Sequence, residues 1–326
     1  MAQSPPTDEG APRPLPRRPA PRPTPRANRP RFQALDAVWI TLLCALSLAG
    51  SAWLGELSGR RLLGSLAAVG IVGMVYALGW RARDRAAGVG AGLLAAFSPQ
   101  FLFWAAYSPE SAAFALLSVA ALFAFVAGSS LAALALAAGA AMVRPDGLVL
   151  GLLLLALAFA QQRKRWGYGA LVFAVPLAAF EAGRHALGHS LPLVPSFGPH
   201  GGVWRWLWTP ASALLVWLLV PFFGEFGEPM RRARWLPVVL WMILSLLIAS
   251  AGSLTTTEGM LVPLMPLLFV LAGGGLSRLL PTLAGEFPRP VLRYTLAALA
   301  VLGLVGLHLR LEPPVSKPAG NAPRSR

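Results

Sequence analysis

Between residues 34 and 309 the sequence is a succession of apolar runs, separated by short stretches that carry arginine. A bilayer-crossing helix needs about 20 apolar residues, and a chain in lipid has to satisfy its backbone N–H and C=O groups from within. Repeated runs near that length favour one architecture, an all-α, polytopic transmembrane helical bundle. Composition agrees. Charged residues are 13% of the chain and apolar residues 56%, whereas a soluble domain carries about 25% charged residues to solvate its surface. The single cysteine, Cys44, excludes an intrachain disulfide and a zinc site built on cysteines.

The apolar runs predict helices over 34–54, 62–80, 86–107, 110–127, 131–143, 147–161, 169–187, 206–223, 236–252, 259–276 and 294–309. The run 131–143 is too short to cross by itself and could join 147–161 in a tilted or broken arrangement. Pro99 predicts a kink or a re-entrant step inside 86–107. The count is therefore ten or eleven. Two tails flank the helical domain 34–309. Residues 1–33 hold seven arginines among many prolines with no apolar periodicity, which predicts a disordered cytoplasmic tail. Residues 310–326 predict a second disordered tail. The charged segment at the start is too long, and the run after it long enough to span, for a signal peptide.

The net charge is +15, and all but Lys164 and Lys317 of the 28 basic residues are arginine. In a soluble protein such a balance would suggest nucleic acid. In a membrane chain it first reports topology, and no nucleic-acid partner is expected. With the N-terminus inside and eleven helices alternating, 19 of the 28 basic residues fall on the inner side. That asymmetry predicts a multi-pass protein of the inner (plasma) membrane with a cytoplasmic N-terminus.

Acids near lipid are costly and usually face a cavity or a partner. Glu110 follows Tyr107 in YSPES, and Asp146 stands beside Arg144 in RPDG. Both fall at predicted helix starts on the outer face. A carboxylate there meets the favourable end of the helix dipole, worth about 0.3–1 kcal/mol. Helix capping alone accounts for either acid as readily as chemistry does.

The ordered series RARDR (81–85), FSPQFLFW (97–104), AYSPES (106–111) and AAMVRPDGLVL (140–150) resembles the GT-C superfamily of glycosyltransferases, polytopic enzymes that use polyprenyl-phosphate sugars. TEGMLVPLMPLLFVLAGGGL (257–276) is loosely similar to a late helix of those enzymes. The resemblance covers about residues 60–160 and, more weakly, 258–276. It implies transfer of a sugar from a polyprenyl-phosphate donor to an envelope glycan, lipid or protein acceptor on the extracytoplasmic side. A carboxylate base would take the acceptor's hydroxyl proton while lipid phosphate leaves. By position Glu56 would be the catalytic base, with Tyr107, Glu110, Arg144 and Asp146 binding substrate and Arg144 holding the phosphate. The sequence departs from the family in its first external loop, which is only GELSGRR, with Glu56 its one acid. That leaves three classes: a minimal working transferase, an inactive relative acting as a membrane assembly partner, and a transporter. A transporter should show inverted repeats, and no internal repeat is evident.

Other groupings are weaker. His185 and His189 stand four apart with His200 beyond them, but no carboxylate follows at ligand spacing, so no zinc site is expected. Magnesium or manganese on Glu56, Glu110 and Asp146 stays open. Trp204, Trp206 and Trp208 read as an interfacial aromatic belt. The glycine-rich stretches GAGLLAAFS (90–98) and AGGGLS (272–277) read as close-packing surfaces.

The topology has a direct check. Loops 81–85, 161–168 and 228–235 should be cytoplasmic because each carries three basic residues. Single-cysteine substitutions at Gln162 and Ser196 should then react with an impermeant maleimide from opposite sides. Labelling of both from one side would end this topology.

Overall fold

The structure is a computed structural model that describes residues 34–53, 61–161, 166–186, 229–251 and 257–284. The described residues form ten α-helices and no strand: α1 Ala34–Trp53, α2 Arg61–Ala82, α3 Arg85–Ala96, α4 Pro99–Tyr107, α5 Pro109–Val126, α6 Ser130–Val143, α7 Asp146–Gln161, α8 Trp166–Ala186, α9 Pro229–Ala251 and α10 Thr257–Ala284. The all-helical class expected from the sequence holds. Glu56, His189, His200, the tryptophans at 204–208, the expected helices 206–223 and 294–309 and both tails lie outside the described residues.

Among the described residues three helices, α2, α5 and α8, are long and apolar enough to cross a membrane, and α3 with α4 makes a fourth if the bent pair is one span. The chain reads as a membrane protein on that ground. Helix α8 leaves Tyr168, Leu171, Val175 and Phe180 exposed, an apolar surface such as a lipid-facing span presents.

The breaks follow local chemistry. The expected helix 86–107 is two helices bent by 65°. Phe97 ends α3, Ser98 accepts from the Phe101 N–H at 3.2 Å, and Pro99 opens α4, where its missing N–H costs no helical bond. Pro109 opens α5 in the same way. The runs 131–143 and 147–161 do not continue one another. Arg144 is extended (φ −144°, ψ 140°), as the residue before a proline prefers, and α6 and α7 fold back on each other. Helix α9 starts at Pro229, seven residues ahead of the expected 236, and α10 runs to Ala284, past the expected 276. The apolar pattern marks the part in lipid, while the helix continues into flanks such as Arg231–Arg234 because arginine is a good helix former.

Small residues set the packing. The most extensive helix contact joins α3 to α10. A side chain at Gly273 would collide with the backbone of Ala87 and Ala91, and one at Gly90 would reach Leu276 and Gly273. The two glycine-rich stretches therefore meet each other. On the opposite flank of α3, Gly88 lies against the Tyr76 carbonyl and Trp80 of α2, and Gly64 of α2 lies against the Ala105–Ala106 backbone of α4.

Polar side chains gather at the two ends of this bundle. At one end the fully buried Asp36 accepts from Arg85 Nε at 2.7 Å, Arg85 Nη2 at 3.1 Å and the Tyr76 hydroxyl at 2.9 Å. Beside it Asp84 caps α3, accepting from the Ala87 N–H at 2.8 Å and from Ser277 Oγ of α10 at 3.2 Å. The other end holds the RPDG and YSPES segments.

Gly273→Val should lower thermal stability in detergent, because overfilling a tight contact costs about 1–3 kcal/mol. Gly167→Ala in α8, with open space around it, should be neutral or slightly stabilising. Equal melting temperatures for Gly273→Val and wild type would show that α3 and α10 do not approach this closely.

Candidate functional site

The turn between α6 and α7 presents Arg144 and Asp146 to the first turn of α5. Arg144 Nη2 donates to Asp146 Oδ2 at 2.7 Å, and Arg144 Nη1 donates to Ser111 Oγ at 3.2 Å. Ser108 Oγ donates to Ser111 Oγ at 2.8 Å. The guanidinium also lies over the Phe114 ring, 5.2 Å from its centroid. Both partners of the ion pair are largely buried, the side chains being 14% and 8% exposed.

This turn forms one wall of a small cleft of about 20 Å³ that is partly open to the exterior. Its other walls are Phe114 of α5, Trp241, Ser245 and Ile248 of α9, and Pro263 and Leu264 of α10. Positions 241, 245 and 248 share one helical face. Trp241 meets Phe114 edge-on, with ring centroids 6.5 Å apart.

The cleft wall carries polar groups without partners. Asp146 Oδ1, Ser245 Oγ and Trp241 Nε1 are buried, and none has a hydrogen-bond partner. Most buried polar atoms are satisfied, and leaving one unsatisfied costs about 1–3 kcal/mol. All three belong to residues that line the cleft.

The sequence-predicted site residues divide. Arg144 and Asp146 meet on the cleft. Tyr107, the last residue of α4, accepts from Arg61 Nη2 at 2.7 Å and stacks beneath its guanidinium at 4.2 Å. Neither residue lines the cleft. Glu110 sits in the first turn of α5, exposed and off the cleft wall. Glu56 is outside the described residues. The expectation that Arg144 offers its charge to a phosphate meets a structural counterweight, since Asp146 already neutralises that guanidinium at contact distance.

Ser111, Trp241 and Ser245 were not picked out from the sequence. Ser111 closes the YSPES segment and was within reach of that reading. Ser245 is a single hydroxyl in the apolar run WMILSLLI of α9.

The described residues do not compose a divalent-cation site. No three of His, Cys, Asp and Glu cluster among them, Asp146 is the only carboxylate among the described residues of the cleft wall, and one of its oxygens is held by arginine. His185 is exposed near the C-terminus of α8, where Arg184 pairs with Glu181 at 3.0 Å.

No protein family matches this sequence, and no curated protein is significantly similar to it.

The ion pair can be tested by a double-mutant cycle. Arg144→Ala leaves a buried carboxylate uncompensated and should cost about 3–5 kcal/mol. Removing both charges in Arg144→Ala/Asp146→Ala should recover at least half of that loss, read from denaturant or thermal unfolding in detergent. Additive losses would mean that the two side chains do not interact.

Proposed function

We propose that this chain is a membrane-embedded, GT-C-like transferase that moves a sugar from a polyprenyl-phosphate donor to a glycan, lipid or protein acceptor at the extracytoplasmic face. One observation carries the reading. The YSPES and RPDG segments, 33 residues apart between Ser111 and Arg144, are tied by a direct hydrogen bond at the wall of a cleft that holds an unsatisfied carboxylate oxygen. A carboxylate oxygen of this kind pairs with a hydroxyl donor. In the reaction the acceptor oxygen attacks the anomeric carbon, the bond from that carbon to the phosphate oxygen breaks, and phosphate leaves with the electron pair. The hydroxyl proton passes to a carboxylate. Glu56 is proposed as that base on the strength of the sequence resemblance. Asp146 and Ser111, held by Arg144, are proposed to orient the substrate.

The second reading, an inactive relative acting as an assembly partner, draws on a different observation. Among the described residues Arg144 is the only basic side chain on the cleft wall, and Asp146 already pairs with it. No spare cation among the described wall residues stands ready for a departing phosphate.

Reconstituted protein supplied with a polyprenyl-phosphate sugar and a lipid acceptor separates the two. A working transferase should lose about 10²–10⁴-fold in turnover on Glu56→Gln, since this removes the base while keeping the shape. Donor binding should persist. Wild-type protein that binds donor without transferring it would instead support the partner reading, and full activity of Glu56→Gln would remove Glu56 from the mechanism.

A further inference from the structure

Helix α9 carries a built-in point of bending. Pro237 lies in its interior, where a proline removes one backbone hydrogen bond and crowds the carbonyl four residues back. Sharp bends in helices gather at such positions. Beyond Pro237 the helix turns Val238, Trp241 and Ser245 inward, all buried, and leaves Ile243 and Leu247 exposed on its outer side. Among the described residues α9 touches α5, α7 and α10 far more sparsely than α3 touches α10. Its far half is therefore hinged at one end and lightly held along its length.

The polar groups on the two sides of the cleft are complementary. Trp241 Nε1, on α9, can only donate, and Asp146 Oδ1, on the RPDG turn, can only accept while the carboxylate is ionised. Both atoms are buried without a partner, on residues 1% and 5% exposed. Such orphans are rare in folded proteins and call for a reason. Arg144 holds Oδ2, so Oδ1 is the oxygen left to receive a donor. Ser245, one turn further along α9, brings a second buried hydroxyl without a partner to the same side. Phe114 ties the two sides together. The Trp241 ring meets it with centroids 6.5 Å apart, and the Arg144 guanidinium lies 5.2 Å from its centroid. The space between, about 20 Å³, is roughly that of one water. A swing of α9 by about 3 Å, the length of one hydrogen bond, would take up such a gap.

We propose that α9 beyond Pro237 is a hinged strap that closes on the RPDG turn through a hydrogen bond from Trp241 Nε1 to Asp146 Oδ1. The structure shows the open position, with donor and acceptor buried on either side of a narrow gap. Arg144 is the positioning residue of the latch, since it fixes the carboxylate with one oxygen engaged and the other left for the strap. Closure removes the cleft and satisfies both orphaned atoms at once. The strap goes beyond the transferase reading and does not rest on it: no substrate takes part, and an inactive assembly partner could carry the same latch.

The test uses the full chain in nanodiscs, with Cys44→Ala and Ile248→Cys placing a single thiol on the cleft wall. Closure hides that thiol, so its reaction with a small thiosulfonate reports the open fraction. Trp241→Phe keeps the ring and removes the N–H. It should speed labelling by about 3- to 10-fold, the change in equilibrium that the loss of one hydrogen bond brings. Asp146→Asn should speed it as well, and the two together no more than the faster of them, because both break the same bond. Pro237→Ala stiffens the hinge, so adding Trp241→Phe to it should change the rate by less than about twofold. With indole-15N tryptophan, the signal that Trp241→Phe deletes should move upfield in Asp146→Asn, as a charge-assisted bond weakens. If Asp146→Asn fails to fold, Asp146→Glu, which keeps the charge and displaces the oxygens, takes its place. Labelling that neither variant accelerates overturns the proposal, as do accelerations that multiply, a full response to Trp241→Phe in the Pro237→Ala protein, or an indole signal indifferent to the change at Asp146.

Discussion

In lipid, burying apolar surface gives helices little reason to associate, because the tails of the lipid are as apolar as the side chains. What remains is close contact between backbones and a few polar links. The bundle depends on the first of these. Gly90 and Gly273 let α3 and α10 approach until one helix backbone lies on the other, and Gly88 does the same for α3 against α2. Helix α3 is thus held between two neighbours by residues with almost no side chain. Its position fixes the turn at 83–84 and, through the bend at Ser98, the direction in which α4 departs toward the Tyr107–Ser111 segment. The cleft inherits its geometry from those contacts.

Local breaks were legible in the sequence because their chemistry is local. Pro99 and Pro109 mark helix starts, Arg144–Pro145 forces an extended residue, and the charge of Asp146 suits the first turn that follows it. The glycine-rich stretches were readable as packing surfaces, though not as each other's partners. Partners at long range were hidden. Asp36 and Arg85 are 49 residues apart, and nothing in either segment names the other. In a soluble bundle the apolar stripe of each helix would have pointed to its buried face. In α2 nearly every residue is apolar on every side, although one face, including Ile71, Val75 and Tyr76, is fully buried. Periodicity carries little information where solvent and core are equally apolar. For the same reason Trp241 and Ser245 were invisible as wall residues of a cleft.

Arginine does two kinds of work in this chain. In the segments 81–85, 161–168 and 228–235 its abundance is what the sequence reading took as a topological signal. At Arg85 and Arg144 it enters the protein body and neutralises a buried acid, with Arg85 about a third exposed and Arg144 nearly covered. The planar fork suits this second task, since it can engage a carboxylate and a neighbouring hydroxyl together. A lysine would supply the charge without that reach. The second kind of arginine was counted in the topological asymmetry along with the first, so a charge census by itself cannot separate the anchors from the struts.

The two buried ion pairs show how a strut differs from a site. Asp36 has both carboxylate oxygens engaged, Oδ1 by Arg85 Nε and the Tyr76 hydroxyl and Oδ2 by Arg85 Nη2. Asp146 has the same kind of partner at the same 2.7 Å contact, yet one of its oxygens is left with none. Burying a carboxylate is costly in either place. At Asp36 the surrounding helices supply every interaction the group requires, so its free energy is spent on holding α1, α2 and α3 together. At Asp146 one acceptor is left unsatisfied, on a residue that lines the cleft together with Trp241 and Ser245, whose indole N–H and hydroxyl are also without a partner. A fold that only needed strength there could have closed the gap with one more side chain, as Tyr76 does at the opposite end. The incomplete pair is what sets the RPDG turn apart from an ordinary helix connection.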